Sequence, residues 1–236
     1  MVQLSPHHPH VNLRLKFKKV GSLQYVSHLD LVRTMHKIIV RAKLPLWYTE
    51  GFNPKPKMIF AAPLSIGVES VCEYLDIKLV DDIPPEEAMS RLNANMTDEM
   101  QILEAYYTEG KLTDMKWLRY EITLCPVGGA DDGLAEKVRE TLNGDSLMAV
   151  KKGKPQDKPK IVDIRPLIRS AKVDRRDTEL VIDCILSADA SSFLNPEYVV
   201  SALRDKLGVM TCPRLTEEYY SIMRLEAYRE DMTPFA

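Results

Sequence analysis

Long apolar runs are missing from this chain of 236 residues; none approaches the ~20 residues that a membrane-spanning helix needs. Clustered cysteines are missing too. Cys72, Cys125, Cys184 and Cys212 are widely separated, so no CxxC or CxxxCxxC pair offers the small chelate loop of a zinc or iron–sulfur site. Spread in this way they read as small buried hydrophobes, and disulfides are not expected in a reducing cytosol. No GxxxxGK[ST] phosphate loop, GxSxG elbow or HExxH helix occurs. Val127-Gly128-Gly129-Ala130 is too short a glycine run to be more than a turn. The opening MVQLSPHHPHV lacks the basic-then-apolar order of a secretion signal. Residues 1–10 are expected to be disordered, with His7, His8 and His10 a metal cluster only in composition. The expectation is a cytoplasmic protein with no cofactor, metal or redox centre of its own.

Acidic residues are scarce in the first quarter of the chain. Residues 1–60 hold ten Lys/Arg against Asp30 and Glu50, a net of +8. Residues 80–115 reverse this, with Arg91 and Lys111 against nine acids, a net of −7. The overall charge of −2 hides this split, which points to one positive surface and one negative surface and bears on partners more than on fold.

Alternation over 11–19 sets Leu13, Leu15 and Phe17 against Arg14, Lys16 and Lys18, the pattern of a half-buried strand. Residues 27–43 repeat at helical spacing, with Ser27 as N-cap and an acid, Asp30, three positions on. Extended pieces at 46–49 and 58–62, a strand at 73–80, a helix at 83–96 and a strand at 101–107 complete the order β-α-β-β-α-β. The second half repeats it: strand 116–125, helix 132–142, extended segments 147–151 and 161–170, strand 179–186, helix 196–207 and strand 214–227. Both closing strands contain Leu-Glu-Ala-Tyr, at 103–106 and 225–228. The predicted fold is α+β, two tandem ferredoxin-like βαββαβ lobes from an internal duplication, over 11–110 and 115–230.

With both helices on one sheet face, Arg14, Lys16 and Lys18 line the other. Arg33, Lys37 and Arg41 recur every four residues along the helix. Rows of cations that neutralise phosphates are the sequence-independent part of nucleic-acid binding; the competing reading is an ordinary solvated face. In Gly51-Phe52-Asn53-Pro54-Lys55-Pro56-Lys57 two prolines stiffen a basic loop. Phe52 either stacks a base while Lys55 and Lys57 hold phosphates, or plugs the core under an irregular crossover. Ser27 and His28 stand at a helix start, where an anion is favoured; His28 is a weak candidate for acid–base chemistry. The segment 151–160, KKGKPQDKPK, reads as a basic loop touching phosphate or as a solvated hairpin tip.

The runs FKKVGSLQYVSHLDLVRTMHKIIVRAKLPL, GFNPKPK and APLSIGVESVCEYLDIKL closely resemble the radical-SAM-linked proteins, a bacterial family built on a domain of unknown function. The likeness is strong over 11–107 and looser beyond 115, where Val162-Asp163-Ile164-Arg165-Pro166 is the best piece. It implies a chain fused behind a radical-SAM enzyme or encoded beside one; without CxxxCxxC this chain resembles the stand-alone form. The family's characteristic positions fall on Gly21, Ser27, His28, Asp30, Arg33, Arg41, Pro45, Gly51, Phe52, Pro54, Pro56 and Lys57. Lys43 departs from the pattern, since relatives usually carry glycine there.

Three functions compete at this point. The leading one is a non-catalytic RNA-binding accessory that presents rRNA or tRNA to a separate radical-SAM enzyme. A metal-independent endoribonuclease is the second, similar in lobe order to the CRISPR repeat-processing enzymes, with His28 and Tyr25 as acid and base. The third is a protein-interaction module docking the radical-SAM partner through the acidic stretch 80–115.

Overall fold

A computed structural model describes residues 11–151, 159–214 and 216–235. The expected disordered stretch 1–10 and most of the basic segment 151–160 lie outside the described residues. The protein is a mixed α+β chain, mostly sheet, with four α-helices among the described residues. It divides into two compact units, Met1–Leu112 and Thr113–Ala236. No described helix is long and apolar enough to cross a membrane.

In the first unit, β1 (Val11–Lys19) sends Leu13, Leu15 and Phe17 into the core with no exposed surface. Helix α1 (His28–Arg41) covers them with Leu31, Met35, Ile38 and Ile39, the i, i+4, i+7, i+8 stripe of an amphipathic helix. Ala42 caps its end, and Lys43 follows with a φ of 54°, in the left-handed region. Strands β2 (Met58–Phe60), β3 (Val68–Leu79) and β4 (Ile102–Tyr107) and helix α2 (Pro85–Asn93) follow. β1 pairs antiparallel with both β3 and β4, and β2 pairs antiparallel with β3. The strand order within this unit is therefore β4-β1-β3-β2. Ala88 and Leu92 of α2 join the same core as α1, so both helices lie on one sheet face.

The second unit runs β5 (Trp117–Cys125), α3 (Asp132–Asn143), β6 (Met148–Lys151), β7 (Lys160–Asp163), β8 (Ile168–Arg176), β9 (Glu179–Ser187), α4 (Glu197–Leu207) and β10 (Tyr219–Tyr228). β5 pairs with β10 and β9, and β9 with β8, all antiparallel. The order β10-β5-β9-β8 matches that of the first unit once β6 and β7 are set aside, because these two strands pair only with each other. The sequence pattern reads 161–170 as one extended segment. Its first part belongs to the β6–β7 hairpin, and the sheet strand begins at Ile168, where a register shift between Ile168 and Ser170 blurs the alternation.

Residues 162–166 build the base of that hairpin. Asp163 accepts hydrogen bonds from the backbone N–H groups of Leu147, at 2.8 Å, and Arg165, at 3.0 Å. Ile164 is fully buried, and its N–H donates to the Leu147 carbonyl. Arg165 donates to the carbonyls of Gly144 and Ile168.

Each unit also holds an arginine of its first strand against an aspartate of its third. Arg14 donates from Nε to Asp76 Oδ1 at 2.7 Å and from Nη2 to Oδ2 at 2.9 Å. Arg119 donates from Nε to both oxygens of Asp183, at 2.9 and 3.1 Å. Tyr106 and Tyr228, the last residues of the shared Leu-Glu-Ala-Tyr, stand beside these two guanidinium groups.

Candidate nucleic-acid interface

Two of the three cations expected on the open sheet face, Arg14 and Lys16, are paired with carboxylates there, which corrects the sequence reading for these two. Arg14 is buried, its side chain 1% exposed. Besides Asp76, it donates to the Gly110 carbonyl at 2.8 Å. Burial opposes the charge, but Asp76 and Tyr106 outweigh it and hold the guanidinium's pKa above its ordinary value. Lys16 pairs with Glu104 at 3.1 Å. Lys18 is half-buried. Alternation along β1 says which side a residue faces; it does not say that the side is wet.

The helix start is also occupied. Ser27 Oγ accepts from the N–H of Asp30 and donates to Asp30 Oδ2 at 2.8 Å, so the capping hydroxyl and the first-turn charge are supplied by the chain itself. The Ser27 and Arg33 contacts hold the Asp30 carboxyl below its ordinary range. An external anion at Ser27 and His28 would face that carboxylate. The His28 ring packs edge-on against Phe60 with centroids 5.5 Å apart, and Phe60 in turn meets Phe17 at 6.3 Å. His28 thus seats the helix on the core.

A different group of cations is open. Lys37 and Arg41 on the outer face of α1, Lys43 just after it, and Lys55 and Lys57 in the following loop are all exposed. Among the described residues none of the five takes part in an ion pair. Arg33 bonds Asp30 at 3.0 Å, but both side chains are largely exposed, and water and salt screen such a pair.

The loop itself is a hairpin. Tyr48 bridges Pro56, the Thr49 N–H donates to the Lys55 carbonyl at 2.9 Å, and Lys57 N–H donates to the Trp47 carbonyl. The tip, residues 50–54, carries Phe52 with its ring fully exposed. The core-plug alternative is thereby excluded. Tyr48 is also exposed, and Lys78 Nζ lies 5.8 Å from the Trp47 ring. Sequence reasoning passed over Trp47 and Tyr48, and noted Lys43 only as a departure from the family pattern. The signal available was the pair of aromatics immediately before the Gly-Phe-Asn-Pro run.

No curated protein matches the chain. Among solved structures, a chain of a Cbf5-Nop10-Gar1 complex superposes with a TM-score of 0.52 at 9% identity, over 93% of this chain and 50% of its own length. A chain from an H/ACA RNP bound to a substrate RNA containing 2'-deoxyuridine gives a TM-score of 0.46 at 12% identity, over 94% and 49%. The protein thus spans about half the length of these solved chains, and at such identities the first likeness is one of fold. Residues 12–196 match the family model DUF2344, described as an uncharacterized protein conserved in bacteria. The chain belongs to that bacterial family.

Proposed function

We propose that the protein binds RNA through α1 and the hairpin that follows it, without catalysing a reaction, and serves a separately encoded radical-SAM enzyme acting on rRNA or tRNA in the cytoplasm. The observation that carries this reading is Phe52, fully exposed at the tip of a hairpin whose Lys55 and Lys57 have no carboxylate partner among the described residues. An aromatic ring held in water by a closed hairpin is costly unless something covers it, and a base does so at about 1–3 kcal/mol per stack. Lys37, Arg41 and Lys43 extend the positive charge along the helix and its end. A single strand laid from the helix to the tip meets five cations, for a slope of log affinity against log salt of roughly −3.5.

The radical-SAM partnership is supported by the likeness over SHLDLVR and GFNPKPK. The reading of the units as ferredoxin-like halves of a duplicated ancestor, over 11–110 and 115–230, is supported by the repeated strand order and the repeated Arg–Asp–Tyr grouping.

The test is fluorescence anisotropy with short single-stranded and hairpin RNAs at low and moderate salt. Binding should weaken steeply with salt and fall at least tenfold in Lys55→Glu/Lys57→Glu. Absence of binding to either RNA at low salt would overturn the reading. Co-purification with the radical-SAM enzyme that survives nuclease would place the same surface in a protein contact instead.

A further inference from the structure

The two units place a hairpin in the same topological slot, between the first helix and the second sheet strand. In the first unit it is the Phe52 hairpin; in the second it is β6–β7. The second hairpin lies against α4, and between them is a groove of about 190 Å³ lined by Val150, Glu197, Tyr198, Val200, Ser201 and Arg204. On α4, residues 197, 201 and 204 follow i, i+4, i+7 spacing and share a face. Drug-sized ligands take pockets of about 300–1,000 Å³, so this groove has room for a small ion or one end of a larger molecule.

Charge at its margin is unbalanced. Lys151 and Lys160 are direct cross-strand partners, a placement that brings Cβ atoms to about 5 Å and is unfavourable for like charges. Lys151 Nζ lies 5.6 Å from the centre of the Tyr198 ring. Neither lysine has a carboxylate partner among the described residues. Arg204 donates from Nε to the Met210 carbonyl at 2.6 Å, which fixes the guanidinium in place at the groove. The one carboxylate lining the groove, Glu197, accepts a 2.7 Å hydrogen bond from Tyr220 Oη. Burial and that carboxylate push the Tyr220 phenol up to about 12, so it remains a donor at neutral pH and keeps Glu197 tethered. Arg204 in the lining and Lys151 beside Tyr198, with Lys160 opposite it in the register, outnumber the one engaged carboxylate.

We infer that this groove binds a phosphoryl group, either free phosphate or a phosphate of a nucleotide strand, between Arg204 and the Lys151–Lys160 pair. The anion relieves the like-charge pairing across β6 and β7; Ser201 lies on the same wall, its hydroxyl donating to the Tyr198 carbonyl at 3.2 Å. The Phe52 surface uses none of these residues, so the two readings stand or fall separately.

The full chain is titrated at low ionic strength with inorganic phosphate, with 5′-AMP and with a short RNA. Phosphorus NMR follows the two small probes, and anisotropy follows the RNA. Lys151→Gln/Lys160→Gln removes the two lysines at its margin, and Ser201→Glu puts a carboxylate into the groove on a helix that accepts it; circular dichroism checks both folds. Saturable binding that weakens about tenfold or more in both variants, and is unchanged by Lys55→Glu/Lys57→Glu, is the expected result. Equal behaviour of phosphate and 5′-AMP identifies free phosphate as the source. A loss confined to the RNA identifies the strand backbone. No saturable binding of any probe, affinities within twofold of the parent in both variants, or equal loss in the Lys55/Lys57 variant overturns the inference.

Discussion

Arg14 and Asp76 face one another across β1 and β3, joined through both carboxylate oxygens, with the Arg14 side chain almost wholly out of solvent. Tyr106 Oη lies beside them without a well-formed hydrogen bond of its own. Removing one charge from such a pair strands the other. Arg14→Met should therefore destabilise the fold by about 3 kcal/mol or more, whereas Arg14→Met/Asp76→Leu recovers most of the loss. Urea denaturation of the three proteins measures this. Any fall in RNA binding by an Arg14 variant then reflects unfolding, in contrast to Lys57→Glu, which should leave the midpoint unchanged.

Phe52 offers the converse case. With its ring wholly in solvent it contributes nothing to the core, so Phe52→Ala should shift stability by about 0.5 kcal/mol or less. RNA affinity should fall by about 1–3 kcal/mol if one base stacks there, and Phe52→Trp should retain it. Parallel anisotropy and thermal melts separate the two effects. A stability loss above 2 kcal/mol in Phe52→Ala would mean that the ring packs after all.

Two backbone positions predict opposite signs. Lys43 holds a φ of 54° after α1, a conformation that costs a non-glycine residue about 1 kcal/mol; Lys43→Gly should raise the melting temperature. Gly21 has a φ of 62°, and a Cβ there would stand 2.1 Å from Glu99 Oε1, which itself accepts the Ser22 N–H. Gly21→Ala should lower the melting temperature and displace the Glu99 side chain. Lys43 thus stands where the chain turns left-handed, the conformation that favours glycine.

Acid should loosen the protein through named carboxylates. Asp163, Asp189, Asp231 and Glu99 all have pKa values held below their ordinary range. The causes are hydrogen bonds, to the Leu147 and Arg165 backbone, to Lys116 and Ser191, to Thr233, and to Ser22 respectively. A depressed folded-state pKa gives stability that is complete above the unfolded value, about 4 for these groups, and is lost as pH falls through the folded value. The melting temperature should be flat from neutrality to about pH 5 and then fall. Asp163→Asn should lower the neutral-pH plateau and shrink the acid loss. A plateau extending below pH 3 would contradict it.

Periodicity made β1 and α1 legible almost to the residue, because both bury one clean stripe against a common core. Burial of Arg14 was not legible. It depends on Asp76, 62 positions away, and a strand pattern cannot report whether its second face is covered. The Arg–Asp–Tyr repeat was hidden for a related reason. Loops of unequal length separate the three strands in each unit, so no single offset aligns Arg14 with Arg119, Asp76 with Asp183 and Tyr106 with Tyr228. Only Leu-Glu-Ala-Tyr was contiguous enough to notice. For Phe52 the sequence supported two fates, and the choice fell to the Tyr48–Pro56 bridge, a contact between residues too polar and too proline-rich to announce a hairpin.

A hairpin hung between helix and sheet keeps its tip off the four-stranded ladder, even where its base joins the edge as Trp47 and Lys57 do through Lys78 of β3. Its tip can change length, charge or aromatic content while the strands beneath keep their register. The slot behaves as a mount whose fitting is exchangeable, and this chain carries two of them with different fittings. Grafting the 50–54 tip onto β6–β7 is thus a conservative edit, with the Asp163–Arg165 clamp holding the receiving end.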